Sequence, residues 1–224
     1  MDKLYKRMPE KTEKRTDKLF HGVKEFREHD FVSHQQVFKT LKKSQNPHTL
    51  FIGCSDSRVV PSLITQTLPG ELFIVRNIAN LVPYYREDHD TYVATSSAIE
   101  YALHALNVEN IIICGHSNCG GCKALYSKKL LDSMPLTRKW LELAGSVKQQ
   151  VKEKIQKENI KPSQRSLVTE QLNVVEQMNH LLTFPYVKER FEKEELTIMG
   201  WYYIIETGEV YNYSPETKKF EKIE

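Results

Sequence analysis

Three short runs of mostly apolar residues, each followed by small polar residues, give this chain its main pattern. They lie at residues 49–53, 71–75 and 110–115, and runs of this kind are typical of strands buried in a parallel sheet. A segment with helical periodicity, residues 91–106, joins the second run to the third. The succession of strand, helix and strand predicts a βαβ unit and hence an α/β fold.

The carboxyl-terminal part has a different pattern, in which β-branched and aromatic residues alternate. Two such stretches, residues 196–205 and 209–213, flank Glu206-Thr207-Gly208, and this predicts an antiparallel hairpin with Gly208 in its turn. Further helices are predicted after Pro61, at residues 123–131, 137–157 and 163–182, and after Pro185. We therefore expect a central, mainly parallel β-sheet of about four parallel strands plus an antiparallel C-terminal strand or hairpin, flanked by helices.

Apolar residues also recur at helical spacing between Leu19 and Leu41, with an interruption near His29-Asp30. This predicts two amphipathic helices in an N-terminal arm. A helical apolar stripe has to be buried somewhere. The arm therefore packs either on its own domain or on a partner subunit, and the sequence leaves both alternatives open.

The charge balance argues against one class of function. The chain has 32 basic and 29 acidic residues, a net charge of +3, which is too small an excess for a protein that binds nucleic acid by neutralising phosphates. No apolar run approaches the roughly 18 residues of a membrane span, and the first residues lack the apolar segment of a signal peptide. We expect a cytoplasmic protein with neither nucleic acid nor membrane as a partner.

Two of the apolar runs end in residues that bind metals. Cys54 follows the first run, and His116 and Cys119 follow the third. Because the carboxyl ends of parallel strands lie at one edge of a sheet, these side chains can meet there. Two sulfurs and one nitrogen suit zinc, and three protein ligands leave the open position of a catalytic site. Asp56 and Arg58 alternate with Cys54 and would project to the same side.

Each of these motifs has a plainer interpretation when it is taken alone. Cys54 would be a small buried hydrophobe, and Asp56 would be a helix cap. Cys119 and Cys122 would form a redox pair or contribute to a closed, structural metal site. Their position after two strands of one sheet favours the metal site.

Four motifs together resemble the β-class carbonic anhydrases in order and spacing. They are Cys54-Ser-Asp-Ser-Arg58, Val75-Arg-Asn-Ile-Ala-Asn80, Ile99-Glu-Tyr-Ala102 and Gly115-His-Ser-Asn-Cys-Gly-Gly121. The resemblance implies reversible hydration of carbon dioxide to bicarbonate and a proton, by attack of zinc-bound hydroxide. It implies one Zn²⁺ per chain on Cys54, His116 and Cys119, with Asp56 and Arg58 as the catalytic dyad. In the family this Asp either accepts a hydrogen bond from zinc-bound water or takes the fourth zinc position itself, and the sequence leaves both open for Asp56.

The resemblance also implies how substrate and subunits are arranged. Four residues fall where the family lines its carbon dioxide pocket, in part from a neighbouring subunit: Gln45, Phe73, Ile78 and Tyr101. The expected assembly is a homodimer, possibly a tetramer, with the N-terminal helices on the partner subunit. We expect one domain over residues 1–224, made of an arm (1–44), a catalytic α/β core (45–182) and a C-terminal helix and hairpin (183–224).

Elementary chemistry adds a pH dependence. Two thiolates cancel the formal charge of zinc, so the site is a weaker Lewis acid than one with three neutral histidines. We therefore expect a bound water that ionises above about 7 and activity that rises toward alkaline pH. Arg58 would keep the Asp56 carboxylate ionised through a bidentate pair.

Some features of the chain depart from the family pattern or leave alternatives open. Cys122 stands where an apolar residue is expected, and Phe51 stands where members inhibited by bicarbonate carry Trp. His34 and His104 are candidates for a proton shuttle, but each also fits a surface or packing role. The alternative functions are hydrolysis of carbonyl sulfide or carbon disulfide at the same site, and a non-catalytic structural zinc protein.

Overall fold

The computed structural model describes residues 10–87 and 91–224, with side chains from residue 14 onward. By the contacts within it, the chain forms two compact units, Met1–Gln45 and Asn46–Glu224. Each unit is described here by itself.

The first unit is helical. Helix α1 (Glu10–Glu25) continues through a π-helical turn (Phe26–Asp30) into α2 (Phe31–Ser33), and α3 (Gln35–Leu41) follows. The break predicted near His29-Asp30 is therefore wrong, because the π turn keeps the chain helical there. The helix breaks instead at His34, whose backbone has φ −104° and ψ 12°.

Aromatic packing holds the end of this unit together, while its first apolar residues stay exposed. The rings of Phe31 and Phe38 stack at 5.2 Å, whereas Leu19, Phe20 and Val23 are 59–70% exposed. Among the described residues, the apolar side chains at the middle of α1 are therefore exposed.

A six-stranded sheet forms the centre of the second unit. Its strands are β1 (Thr49–Cys54), β2 (Leu72–Asn77), β3 (Asn110–His116), β4 (Thr197–Tyr203), β5 (Val210–Ser214) and β6 (Lys219–Lys222). Their order across the sheet is β2-β1-β3-β4-β5-β6. The first four are parallel and the last two are antiparallel additions, which confirms the predicted architecture. Gly208, with φ +77°, lies in the turn between β4 and β5, and β6 is a strand that the pattern did not predict.

Eight helices follow in the described part of this unit, joined by short 3₁₀ turns. They are α4 (Pro61–Thr65), α5 (Val93–His104), α6 (Gly120–Ala124), α7 (Lys128–Asp132), α8 (Pro135–Leu141), α9 (Gly145–Glu158), α10 (Arg165–Leu181) and α11 (Pro185–Glu192). The helix predicted at 123–131 begins earlier and is divided into α6 and α7. The helix predicted at 137–157 is likewise divided by the 3₁₀ turn Glu142–Ala144.

Helix α10 packs directly on the sheet because two strand residues lack side chains. A Cβ atom added at Gly115 on β3 would lie 2.5 Å from Cγ2 of Val174, and one at Gly200 on β4 would lie 2.9 Å from its Cγ1. Val174 is fully buried in the main core, together with Leu50, Ile52 and Ile113 of the sheet. The close approach fixes α10 over the carboxyl end of β3.

No helix within residues 10–87 and 91–224 is both long enough and apolar enough to cross a membrane.

Candidate metal centre

The carboxyl ends of β1 and β3 bring three predicted metal ligands together. Cys54 ends β1, and His116 ends β3 next to it in the sheet. Cys119 lies three residues further, at the start of α6. One ligand atom from each of these residues lies within 4.8 Å of the other two, and all three side chains are at most 5% exposed.

The protonation pattern of His116 fits a metal. Its Nδ1 atom lies 3.0 Å from the carbonyl oxygen of Ser117, and a carbonyl can only accept, so Nδ1 carries the hydrogen. Nε2 is then left with a lone pair, and this buried atom has no hydrogen-bond partner among the described residues. An imidazole held by one nitrogen and free at the other is the usual form of a metal-binding histidine.

The two thiols fit the same interpretation. A hydrogen bond to Cys119 and burial raise the pKa of Cys54 to about 12. A hydrogen bond to Cys122, together with burial, raises the pKa of Cys119 to about 12. A dication must therefore displace two protons, and binding will strengthen as the pH rises. With two sulfurs and one nitrogen, the donor set suits zinc.

An apolar cluster surrounds the thiols and keeps bulk water away from them. Cys54 and Cys119 pack with Ala79, Leu81 and the buried residues of α6, α8 and α9. Such a shell lowers the local dielectric and limits solvent access to a metal site.

Asp56 and Arg58 form a bidentate pair at the rim of this cluster. Nε of Arg58 donates to Oδ1 of Asp56 at 2.9 Å, and Nη2 donates to Oδ2 at 2.7 Å. These bonds hold the pKa of the Asp56 carboxyl well below its usual range. Oδ2 lies 3.9 Å from Nε2 of His116, so the carboxylate borders the three ligands.

Arg76, which the sequence analysis did not single out, holds the loop after β1. Its Nε donates to the carbonyl oxygen of Cys54 at 3.0 Å, and its Nη2 donates to that of Asp56 at 2.6 Å. The sequence pattern could have indicated this residue, because Arg76 lies at the carboxyl end of β2, at the same edge of the sheet as Cys54.

A second residue that the sequence analysis missed, Glu170 on α10, contacts the loop after β3. Its Oε1 accepts the main-chain N–H of Cys119 at 3.0 Å, and its Oε2 accepts the hydroxyl of Tyr202 at 2.8 Å. Glu170 belongs to a set of polar residues at helical spacing that the structure shows to be buried: Glu170, Asn173, Gln177 and His180. The sequence shows their spacing but not their burial, so from sequence alone they are indistinguishable from a solvated helix face.

The three predicted substrate residues of the second unit, Phe73, Ile78 and Tyr101, do not converge in the single chain. Ile78 lies beside the loop at residues 116–121 that carries His116 and Cys119, called the metal loop below. A Cβ atom added at Gly121 would be 3.0 Å from Cγ2 of Ile78. Phe73 and Tyr101 contact each other with ring centroids 5.9 Å apart. Phe73 pairs with Leu50, far along the strand from Cys54, so this aromatic pair is at the other end of the sheet. Gln45 is the last residue of the first unit and is exposed.

The other two cysteines lie outside the ligand group. Cys114 is fully buried beside Phe51 and Ile112. Cys122 is 3% exposed and is not part of the three-residue cluster among the described residues.

Comparisons with known proteins all match the chain to one family of enzymes. The family model described as "Carbonic anhydrase" matches residues 49–210. A carbonic anhydrase of Helicobacter pylori (strain J99) is 41% identical over 208 residues, covering 92% of this chain and 93% of the relative. A carbonic anhydrase of Synechococcus elongatus is 39% identical, covering 88% of this chain and 71% of the relative.

Solved structures give the same result for the fold. The β-carbonic anhydrase CcaA superposes with a TM-score of 0.87 at 36% identity, over 93% of this chain and 100% of that one. A tetrameric β-carbonic anhydrase of Sordaria macrospora superposes with a TM-score of 0.77 at 28% identity, over 89% and 96% of the two chains.

Proposed function

The chain belongs to the β-class carbonic anhydrases, and on that premise we propose that it hydrates carbon dioxide reversibly at a zinc centre formed by Cys54, His116 and Cys119. The observation that carries this assignment is the lone pair of His116 Nε2, which is buried and unpartnered beside two thiols. Zinc bound there would supply a Lewis acid that lowers the pKa of a bound water and so makes it a better nucleophile.

The role we assign to Asp56 is to orient the attacking water. Arg58 engages both oxygens of this carboxylate, which fixes its plane. Oδ2 is the oxygen nearer to His116, so it is the atom that accepts the water's hydrogen. Because Arg58 keeps the pKa of Asp56 low, the carboxylate stays an acceptor throughout the working pH range.

We propose that two neighbouring subunits together supply the predicted residues of the substrate pocket. Ile78 adjoins the metal loop of its own chain. Tyr101 is 50% exposed. Together with Phe73 and Gln45 it would line the pocket of a neighbouring subunit. Tetrameric relatives support an oligomer. The exposed apolar residues of α1 would then be covered by the partner subunit, in a dimer or a tetramer.

The donor set predicts the direction of the pH profile. Two thiolates offset the charge of the metal ion, so the nucleophile forms at a higher pH than in a site with three neutral histidines. We expect the rate of hydration to rise from neutral toward alkaline pH.

Metal content and stopped-flow hydration of carbon dioxide test the proposal. The wild-type chain should hold one zinc and accelerate hydration, and Cys54→Ala should lose both. Cys114→Ala is the matched control, because it removes a buried thiol outside the ligand group and should keep both. Full zinc content without hydration in the wild type would exclude the enzymatic role, and full activity in Cys54→Ala would exclude the ligand set.

A further inference from the structure

We propose that Glu170 is a positioning residue for the metal centre: its buried carboxylate holds the main chain at Cys119 so that the thiol faces Cys54 and His116. This inference rests on the proposed metal site but concerns a residue that supplies no metal ligand. It predicts that a change on α10, 51 residues away in sequence, alters metal binding.

The loop that carries Cys119 has little regular structure of its own to hold it. Asn118 has φ +57°, in the left-handed region. Cys119 is the N-cap of α6, and its side chain makes no capping hydrogen bond. The N–H of Cys119 donates instead to Oε1 of Glu170 at 3.0 Å. This contact holds the backbone from which the Cys119 thiol projects.

The second carboxylate oxygen ties the arrangement to the sheet. Oε2 of Glu170 accepts the hydroxyl of Tyr202 on β4 at 2.8 Å, and Tyr202 is 2% exposed. Glu170 thus joins three elements, because its backbone belongs to α10 and its two oxygens bind β4 and the metal loop. With both oxygens engaged, the carboxylate has a single orientation.

Helix α10 itself is fixed against the sheet close to Glu170. Val174 lies one turn further along the helix, and a Cβ atom added at Gly115 of β3 would lie only 2.5 Å from its Cγ2. Asn173 donates to the carbonyl oxygen of Ala79 at 2.9 Å, in the loop after β2. The position of Glu170 is therefore set by contacts one helical turn further along α10.

Burial makes Glu170 an expensive residue for a purely structural purpose. It is only 4% exposed. Taking a carboxylate out of water is costly unless its oxygens are hydrogen-bonded. Here the compensating donors are Tyr202 and the main chain of the metal loop, so the cost is met by the contact that positions Cys119.

The test compares metal binding in variants that differ only at the carboxylate. Glu170→Met keeps the length of the side chain but accepts no strong hydrogen bond, whereas Glu170→Gln keeps one oxygen that can accept from Cys119. The probes are Zn²⁺, in competition with a chromophoric chelator, and Co²⁺, whose absorption bands report thiolate coordination. Neither readout depends on catalysis.

We expect Glu170→Met to lower the apparent zinc affinity about 10- to 100-fold, the range found for residues that orient metal ligands, and to shift the Co²⁺–thiolate bands. Glu170→Gln should recover most of the affinity. Wild-type affinity and an unchanged Co²⁺ spectrum in Glu170→Met would overturn the proposal. If Glu170→Met does not fold, Tyr202→Phe gives the answer, because it frees one oxygen of Glu170 and should shift the same bands. An unchanged spectrum in Tyr202→Phe would then reject the positioning role.

Glu176→Gln is the matched control, since Glu176 is a second buried carboxylate on α10. It accepts hydrogen bonds from Ser146 and Gln150 instead of from the metal loop. The Glu176→Gln variant should have a lower unfolding temperature but unchanged zinc affinity and an unchanged Co²⁺ spectrum. A wild-type chain that binds zinc without hydrating carbon dioxide would reject the proposed function alone. A wild-type chain that binds neither Zn²⁺ nor Co²⁺ would reject both.

Discussion

The thiols of the metal centre come from the end of β1 and from the loop after β3, and the loops that follow these two strands are held by groups of opposite charge. In the β1 loop the guanidinium of Arg76 binds the carbonyl oxygens of Cys54 and Asp56. In the β3 loop the carboxylate of Glu170 binds the N–H of Cys119. Arg76 is exposed, whereas Glu170 is buried.

The difference in burial suggests a division of work between the loops. The β1 loop exposes the side chain of Arg58, which is 48% accessible against 17% for Asp56, and these are the groups that we propose to handle water and protons. The β3 loop keeps His116 and Cys119 out of solvent, and its role is to fix ligand geometry. Ion pairs exposed to solvent are weak, whereas a buried polar network is rigid when every member is paired.

The largest effect on this comparison is expected from Arg58→Ala. The Asp56 carboxylate would lose both of its guanidinium bonds and be free to turn away from the water. We expect hydration to fall by about 100-fold, the lower end of the range for a positioned acid–base group. Stopped-flow rates measure the loss. Arg58→Lys keeps the charge without the bidentate geometry, so it should recover only part of the rate.

The pH profile of Arg58→Ala separates orientation from ionisation. Without Arg58 the pKa of Asp56 should rise toward its ordinary value of about 3.9. The carboxylate is then still ionised at pH 7, so the loss at neutral pH reports orientation, and a further loss appears only as the pH falls toward that value. In the wild type, the low pKa of Asp56 also stabilises the folded state, and this contribution depends on pH in the same direction as activity. It is present above the pKa of Asp56 in the unfolded chain and disappears as the pH falls through the lower pKa of the folded chain. Wild-type rates across the pH range would contradict the dyad.

A smaller and indirect effect is expected from Gly115→Ala. The new Cβ would meet Cγ2 of Val174 at 2.5 Å, and overpacking of this kind costs about 1–3 kcal/mol. Because α10 would have to move away from β3, Glu170 should lose contact with Cys119 and zinc affinity should fall together with the free energy of unfolding. Denaturant unfolding and chelator competition measure the two quantities.

Gly120→Ala is the control for this variant, since a Cβ at Gly120 meets no atom within 4 Å. It should leave both stability and affinity close to wild type. A stable Gly115→Ala protein with normal affinity would show that the buried loop does not depend on the position of α10.

These two loops also show how far the sequence leads. Their ligands could be predicted because buried parallel strands are continuous apolar runs, and the polar residues that follow two adjacent runs must lie at one edge. The dyad was implied by the family resemblance alone, because the chain turns at residues 57–58 and does not stay extended as the alternation of Asp56 and Arg58 with Cys54 requires.

The groups that hold the buried loop could not be predicted in this way. Glu170 lies on a helix whose buried polar residues have the same spacing as a solvated face, and only the packing of α10 at Gly115 shows which interpretation is right. The π turn at Phe26–Asp30 was missed for a related reason, because a one-residue shift in helical phase resembles a break in the apolar pattern. For Glu170 the reason is a tertiary contact that overrules the local pattern.

The smallest effect is expected from Cys122→Ala, which tests whether the buried loop supplies one thiol or two. Cys122 is buried in the same apolar cluster as Cys119, but it lies outside the group of three ligand atoms. If it only packs against Cys119, Cys122→Ala should change zinc affinity and hydration by less than about twofold, as expected for a residue that does not orient a ligand. A closed site with four protein ligands would instead lose much of its affinity and gain catalysis as a position opened. Chelator competition and stopped-flow hydration, with Cys119→Ala as the variant that must lose zinc, distinguish these outcomes.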